Sequence, residues 1–266
     1  MAITTLDDIV SGLASAQVQN VLKILTAAKA AGAFQSGWMA PGRPGAGVAS
    51  PLYTAGSGYT CNAATIGAMS YTNGAVQNWL AKMFFSANVA GTVIIADRLW
   101  SCSGMAFGAG TKTVTTPGSL PARITDAGVG CELWVEQFVA AGAATGTLTA
   151  AYLNTAAAAK SGVIPLVVSA PVTGQMQPVP LQAGDLGISQ LTSATNSATW
   201  TSGSWGMTIL KRIAEIQVPI AGIGQTLDWA ALGLPKILPD ACLMVLYQAS
   251  ATAAATLLGR LAIIDK

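Results

Sequence analysis

The chain has 266 residues, 52% of them hydrophobic and only 9% charged, against about 25% charged in an ordinary soluble domain. Thirteen Lys and Arg against eleven Asp and Glu leave a net charge of +2, which provides no general attraction to nucleic acid or to an anionic membrane. Histidine is absent; His-based acid/base catalysis, Ser-His-Asp and Cys-His nucleophiles and the commonest metal ligand go with it, so a structural or binding protein is favoured over an enzyme.

Residues 1–8 lack a basic n-region and carry Asp7 and Asp8 where a secretory signal needs an apolar run, so export by that route is not expected. A helix is predicted over residues 6–33. Leu6, Val10, Leu13, Val21, Ile24 and Leu25 recur with helical spacing, Thr5 with Asp8 resembles a capping box, and Gly32 offers a stop. The apolar face led by Leu6, Val10 and Leu13 must dock, either on its own domain or on a neighbouring subunit.

Residues 35–72 read as an extended arm in which Pro41, Pro44 and Pro51 lie among glycines and Trp38, Leu52, Tyr53 and Tyr59 recur. No charged residue falls between Arg43 and Lys82, whereas a solvated linker is polar or charged. The arm is therefore expected against protein surface, clasping another subunit or folded back on its own domain. Val76, Trp79, Leu80, Met83 and Phe84 then fall at helical spacing and predict a short helix over 75–85.

Beyond this point the period changes. Strand-like runs bounded by Gly, Pro, Asn and Ser cover 91–100, 130–139, 146–154, 162–169, 176–181, 187–195, 202–213, 214–220, 241–248 and 257–264. Such spacing, without regular βα alternation, predicts a mainly β protein: an antiparallel, jelly-roll-like β-sandwich with an N-terminal α-helix and an extended Pro/Gly-rich arm. The expected division is 1–82 for helix and arm and 83–266 for the sandwich. Removal of residues 1–60 is then expected to leave the sandwich folded. The uncharged run 241–259 is interrupted by Gln248, Ser250, Thr252 and Thr256, and its first half has strand character, so no membrane span is expected.

Few constellations suggest chemistry. Glu132 and Glu136 share one strand face but are about 13 Å apart at 3.3 Å per residue, too far for a glycosidase pair, and are expected to be solvated. Asp97 and Arg98 end a strongly apolar strand and are expected to clamp it, each with its own partner because adjacent strand residues face opposite ways. Asp185 belongs to a turn. Cys61, Cys102, Cys131 and Cys242 are widely spaced and are expected as buried thiols. No catalytic set, metal site or cofactor motif is recognised. The seven tryptophans suit core and interface; Trp200 and Trp205, flanking a Thr/Ser/Gly run, are the place for a glycan contact.

Several blocks line up with one family: the strand entering Asp97-Arg98-Leu99-Trp100 with a Ser103-Gly104 turn, and Pro117-Gly118-Ser119-Leu120-Pro121-Ala122-Arg123. The strand 130–139 with its following Ala/Gly/Thr loop, the strand 147–155, and Val179-Pro180-Leu181-Gln182-Ala183-Gly184-Asp185-Leu186-Gly187 continue the pattern. Over roughly residues 80–220 the chain resembles structural proteins of tailed-bacteriophage virions. The resemblance implies a capsid decoration or cement subunit, assembled in the host cytoplasm, with the major capsid protein and copies of itself (dimer or trimer) as partners. Direct nucleic-acid and membrane partners are not expected. Its contact residues would be Leu6, Val10 and Leu13 of the helix and Trp38, Leu52, Tyr53 and Tyr59 of the arm. The alternatives are a tail or baseplate component and, from another class, a carbohydrate-binding β-sandwich module.

Overall fold

A reciprocal cap starts the first element: the Asp8 carboxylate accepts the Thr5 N–H at 3.0 Å, and the Thr5 hydroxyl accepts the Asp8 N–H at 3.2 Å. The helix it opens, α1 (Leu6–Ala14), stops well short of residue 33, and the next segment is a strand, β1 (Gln17–Lys29). Within β1 the buried positions are Val21, Lys23, Leu25 and Lys29, a period of two. The β-branched Val18, Val21, Ile24 and Thr26 favour that backbone. A lysine on the buried face and apolar Leu22 and Ile24 on the other imitate helical spacing.

The computed structural model describes residues 3–48, 58–73, 77–106, 108–113, 119–142, 144–168, 172–200 and 202–265. The remaining strands, in chain order, are β2 (Phe34–Ser36), β3 (Gly42–Arg43), β4 (Gly58–Thr60), β5 (Asn78–Ala87), β6 (Gly91–Cys102), β7 (Met105–Ala106), β8 (Gly110–Thr113) and β9 (Cys131–Val139). They continue with β10 (Ala144–Asn154), β11 (Ala159–Val168), β12 (Gln175–Pro178), β13 (Ile188–Asn196), β14 (Ser204–Val218), β15 (Gln225–Leu227), β16 (Lys236–Ile237), β17 (Leu243–Ala249) and β18 (Ala253–Asp265). A single-turn helix, α2 (Trp229–Leu232), follows β15. The protein is mainly β and antiparallel, as its sequence implies.

Where it is described, the helix expected over 75–85 is also a strand, β5; residues 75 and 76, with Val76 of the helical set, lie outside the described residues. Opposite it Ala262 pairs with Lys82 and Ile263 with Leu80, so Ala81 is the extra residue of a bulge. That insertion resets the alternation between Trp79-Leu80 and Met83-Phe84, which then fall four apart as they would on a helix.

The chain forms two compact units, one from Met1–Gly47, Asn62–Asp97 and Arg212–Lys266, the other from Val48–Cys61 and Arg98–Lys211. Two cores, not a break near residue 82, divide it. In the first unit one sheet has the order β15-β5-β18-β1-β3, with β16 also on β5. The second layer pairs β17 with β2 and with residues 91–97 of β6. Between the layers lie Leu80, Met83, Phe85, Leu257, Leu261 and Ile263 from one side and Val93, Ile95, Leu243, Val245 and Tyr247 from the other. In the second unit the sheet β11-β10-β13-β8 encloses a core with β9 and its partners β12 and β14. Leu133, Leu148, Tyr152, Leu191, Trp205 and Ile209 are among that core's buried side chains. β14 and β6 approach so closely that a Cβ on Gly206 would lie 1.9 Å from the Cys102 carbonyl oxygen, which makes glycine obligatory there.

Two features fold residues 38–47 of the arm back on their own unit, the second of the two alternatives, and remove Trp38 as an outward contact. Trp38 is fully buried, and a Cβ on Gly47 would stand 2.5 Å from its ring. The buried Lys23 ammonium donates to the carbonyls of Ala40, Pro44 and Gly45 at 3.2, 2.9 and 3.3 Å. Burial lowers its pKa to about 8, so it remains charged at neutral pH and holds this stretch onto its own unit. Residues 1–60 therefore include β1, which sits between β18 and β3, and their removal would dismantle a core sheet.

Lys23→Met is expected to cost about 1–3 kcal/mol in chemical denaturation, since the buried Ala40 carbonyl and the part-buried carbonyls of Pro44 and Gly45 lose their donor, and to accelerate hydrogen exchange around residues 40–47. Hydrogen bonds from the Thr4 backbone, and next from the Thr5 side chain and backbone, hold the Asp8 carboxyl down at about 2. The cap is complete above the ordinary carboxyl range and is lost as pH falls through about 2. The Thr5 and Asp8 amide shifts should titrate with that midpoint; an ordinary carboxyl midpoint would contradict the cap.

Candidate functional site

The most polar interior feature belongs to the second unit. Glu136, on β9, and Arg98, on β6, form an ion pair of 2.7 Å with both side chains fully buried. Arg98 also donates to the Ser101 hydroxyl at 2.6 Å, and the Thr208 hydroxyl donates to the same Glu136 oxygen at 2.9 Å. Burial alone would lower the Arg98 pKa, but the facing Glu136 carboxylate outweighs it and holds the guanidinium above its ordinary value. Arg123 extends the arrangement, donating to the Cys61 carbonyl at 2.9 Å. Glu136 is thus not a solvated face residue: β9 has partners on both edges and both of its faces are largely buried. Glu132 is half-buried and accepts from the Trp134 indole at 2.9 Å.

Asp97 and Arg98 do have separate partners, although the strand runs on to Cys102 beyond them. The Asp97 carboxylate accepts the Cys242 N–H at 2.8 Å, within the first unit. Asp185 sits in its turn and accepts from Tyr152 and Asn154, each at 2.7 Å; the Asn154 bond, followed by that of Tyr152, lowers its pKa. All four cysteines are buried thiols, and burial pushes Cys102 up to about 12. Among the described residues no group of three or more His, Cys, Asp or Glu is placed to hold a metal ion, and no helix is long and apolar enough to cross a membrane.

The contact residues anticipated from sequence fall into different environments. Leu6 and Val10 are 58% and 59% exposed while Ile9 and Gly12 face the fold, so α1 docks through the side opposite to the one expected. Leu13 is half-buried, as is Tyr59 on β4, and Trp38 lies in the core. Leu52 and Tyr53 lie outside the described residues. Trp200 and Trp205 are buried, so neither ring offers a platform to a glycan.

What sequence reading missed is the outer face of the first unit's sheet. Alternation that buries Val21, Leu25, Leu257, Leu261 and Met83 turns Leu22, Ile24, Leu258, Arg260 and Lys82 outward. Leu22 stands opposite Leu258 on one side and Arg43 on the other; Arg260 stands opposite Asn20 and Phe84. These rows line an open groove of about 660 Å³ whose charged residues are Arg43, Lys82 and Arg260. None of the three pairs with a carboxylate among the described residues. The period-two pattern of 253–265 was the available signal, but the face exists only once four separate segments are aligned.

Removing one member of the buried pair should be far worse than removing both. Arg98→Met and Glu136→Leu alone are each expected to lose about 3–5 kcal/mol, and the double variant to recover much of that loss. A double-mutant cycle by urea denaturation measures this coupling.

No protein-family model and no curated protein matches the sequence. Solved structures of infectious bursal disease virus are similar to it at a low level. For the Gx strain the identity is 11% and the TM-score 0.20, covering 94% of this chain and 81% of the viral one. For the Gt strain the identity is 10% and the TM-score 0.19, covering 94% and 80%.

Proposed function

We propose that the protein is a structural subunit of a virion, of the capsid decoration or cement type, acting by contact area and not by catalysis. The observation that carries this reading is the outer sheet face of the first unit, where apolar and basic side chains stand exposed together around a groove that no carboxylate lines among the described residues. Exposed apolar surface of that kind serves association. A chain with 9% charged residues and no histidine suits a subunit whose surface is shared with neighbours. The sequence blocks between residues 80 and 220 that resemble tailed-phage virion proteins support reading the assembly as a phage particle.

On this reading the partners are the major capsid protein and further copies of the chain, and the protein resides in the particle. The sheet face and the outer side of α1 replace the arm as the contact surfaces. The glycan-binding alternative has lost the two tryptophans on which it depended.

Gradient sedimentation of particles with mass spectrometry tests the assignment. The chain is expected to travel with DNA-filled heads at a simple ratio to the most abundant shell protein. Recovery with tails at low copy would replace decoration by a tail role, and recovery at the top of the gradient would refute a virion role altogether. Because 1–60 cannot be removed without loss of β1, the matching truncation is removal of residues 1–15, which takes α1 alone and should release the chain from heads.

A further inference from the structure

We infer that the outer sheet face of the first unit receives helix α1 of a second copy of this chain. The inference deepens the virion reading and rests on it for its setting, but its evidence is the fit between two surfaces of the same molecule.

The receiving surface has two characters. Its centre is apolar, with Leu22 directly opposite Leu258, which is 53% exposed. Around that centre stand Arg43, Lys82 and Arg260. Lys82 lies opposite Ala262, two residues from Arg260, a diagonal at which side chains are about 7–8 Å apart. Three cations around one groove, which no carboxylate lines among the described residues, repel one another, and a partner bringing carboxylates relieves that cost. A purely polyanionic partner would leave the leucines unmatched; an apolar and acidic one satisfies both characters.

The first 22 residues supply such a partner. They contain Asp7 and Asp8 and no Lys or Arg. α1 presents Leu6, Val10 and Ala14 to solvent along one stripe, with Asp7 beside it. Its opposite side is already engaged: Ile9 is buried, and a Cβ on Gly12 would be 3.2 Å from Ile264 of β18. The helix is therefore held on its own unit while its outward stripe remains available to a neighbour. The two surfaces differ, so the contact is heterologous and propagates into a ring or an open array.

The test uses the full-length chain in sedimentation velocity, with two variants confined to exposed side chains. One is Lys82→Glu/Arg260→Glu, which spoils the sheet face; the other is Leu6→Gln/Val10→Gln, which spoils the helix stripe with a good helix former. Near-UV circular dichroism of the buried tryptophans verifies that both fold. Wild type is expected to self-associate, and each variant alone to do so at least tenfold more weakly. Mixed together, the variants should form a 1:1 complex, because each retains the surface the other has lost.

A mixture that stays monomeric, or a helix variant that associates like wild type, overturns the inference. So does a wild-type chain that remains monomeric yet binds a 20-nucleotide oligothymidylate through Lys82 and Arg260, which would give the face to a polyanion. Failure here leaves the virion reading intact if the chain still sediments with particles. Conversely, complementation by a chain absent from particles would retain this contact and remove the virion reading.

Discussion

The pairing of β18 with β1 on one edge and β5 on the other supports most of the first unit. β18 contributes Leu257, Leu261 and Ile263 to the core, Ile264 to the seat of α1, and Leu258 and Arg260 to the exposed face. A register slip of one residue would exchange these sets, exposing the core leucines and burying Arg260. The bulge at Ala81 is thus more than a local irregularity: it lets β5 keep both Leu80 and Met83 inside while remaining in register with β18.

Low charge places a second constraint on the molecule. With so few ionic groups to keep the surface wet, several are spent inside, and each has a defined partner set. Lys23 is met by three carbonyls and Arg98 by Glu136 and Ser101. A buried pair of this kind is weak evidence for added stability, since well-packed apolar residues often serve as well. Its value lies in alignment, because Arg98, Glu136 and Thr208 belong to three different strands whose relative placement the pair fixes.

Legibility in the sequence followed the physics of each segment. Strands such as 91–102 and 131–139 announced themselves through apolar runs bounded by turn residues, and the fold class followed. β1 and β5 did not, because a buried lysine in one and a bulge in the other broke the alternation that marks a half-buried strand. The burial of Glu136 is illegible for a related reason: a carboxylate is buried only with a partner, and Arg98 lies on a strand far away in sequence. Trp38, read as an outward anchor, is enclosed because Gly47 leaves room for its ring. The exposed face was invisible because none of its four contributing segments is unusual alone.

The order in which the strands are synthesised gives the β18 pairing a consequence in time. β1 emerges first from the ribosome and β18 after every other strand of its sheet, so a nascent chain stopped before residue 253 lacks half of the Leu22–Leu258 row and the Arg260 cation. The second unit lies in between and can fold earlier, while β1 and β5 wait for their common partner. Chains growing side by side on one message would expose α1 before the face proposed to receive it is complete. On the proposed contact, recognition between copies waits until each first unit has closed, and crowded, unfinished chains are kept from joining one another.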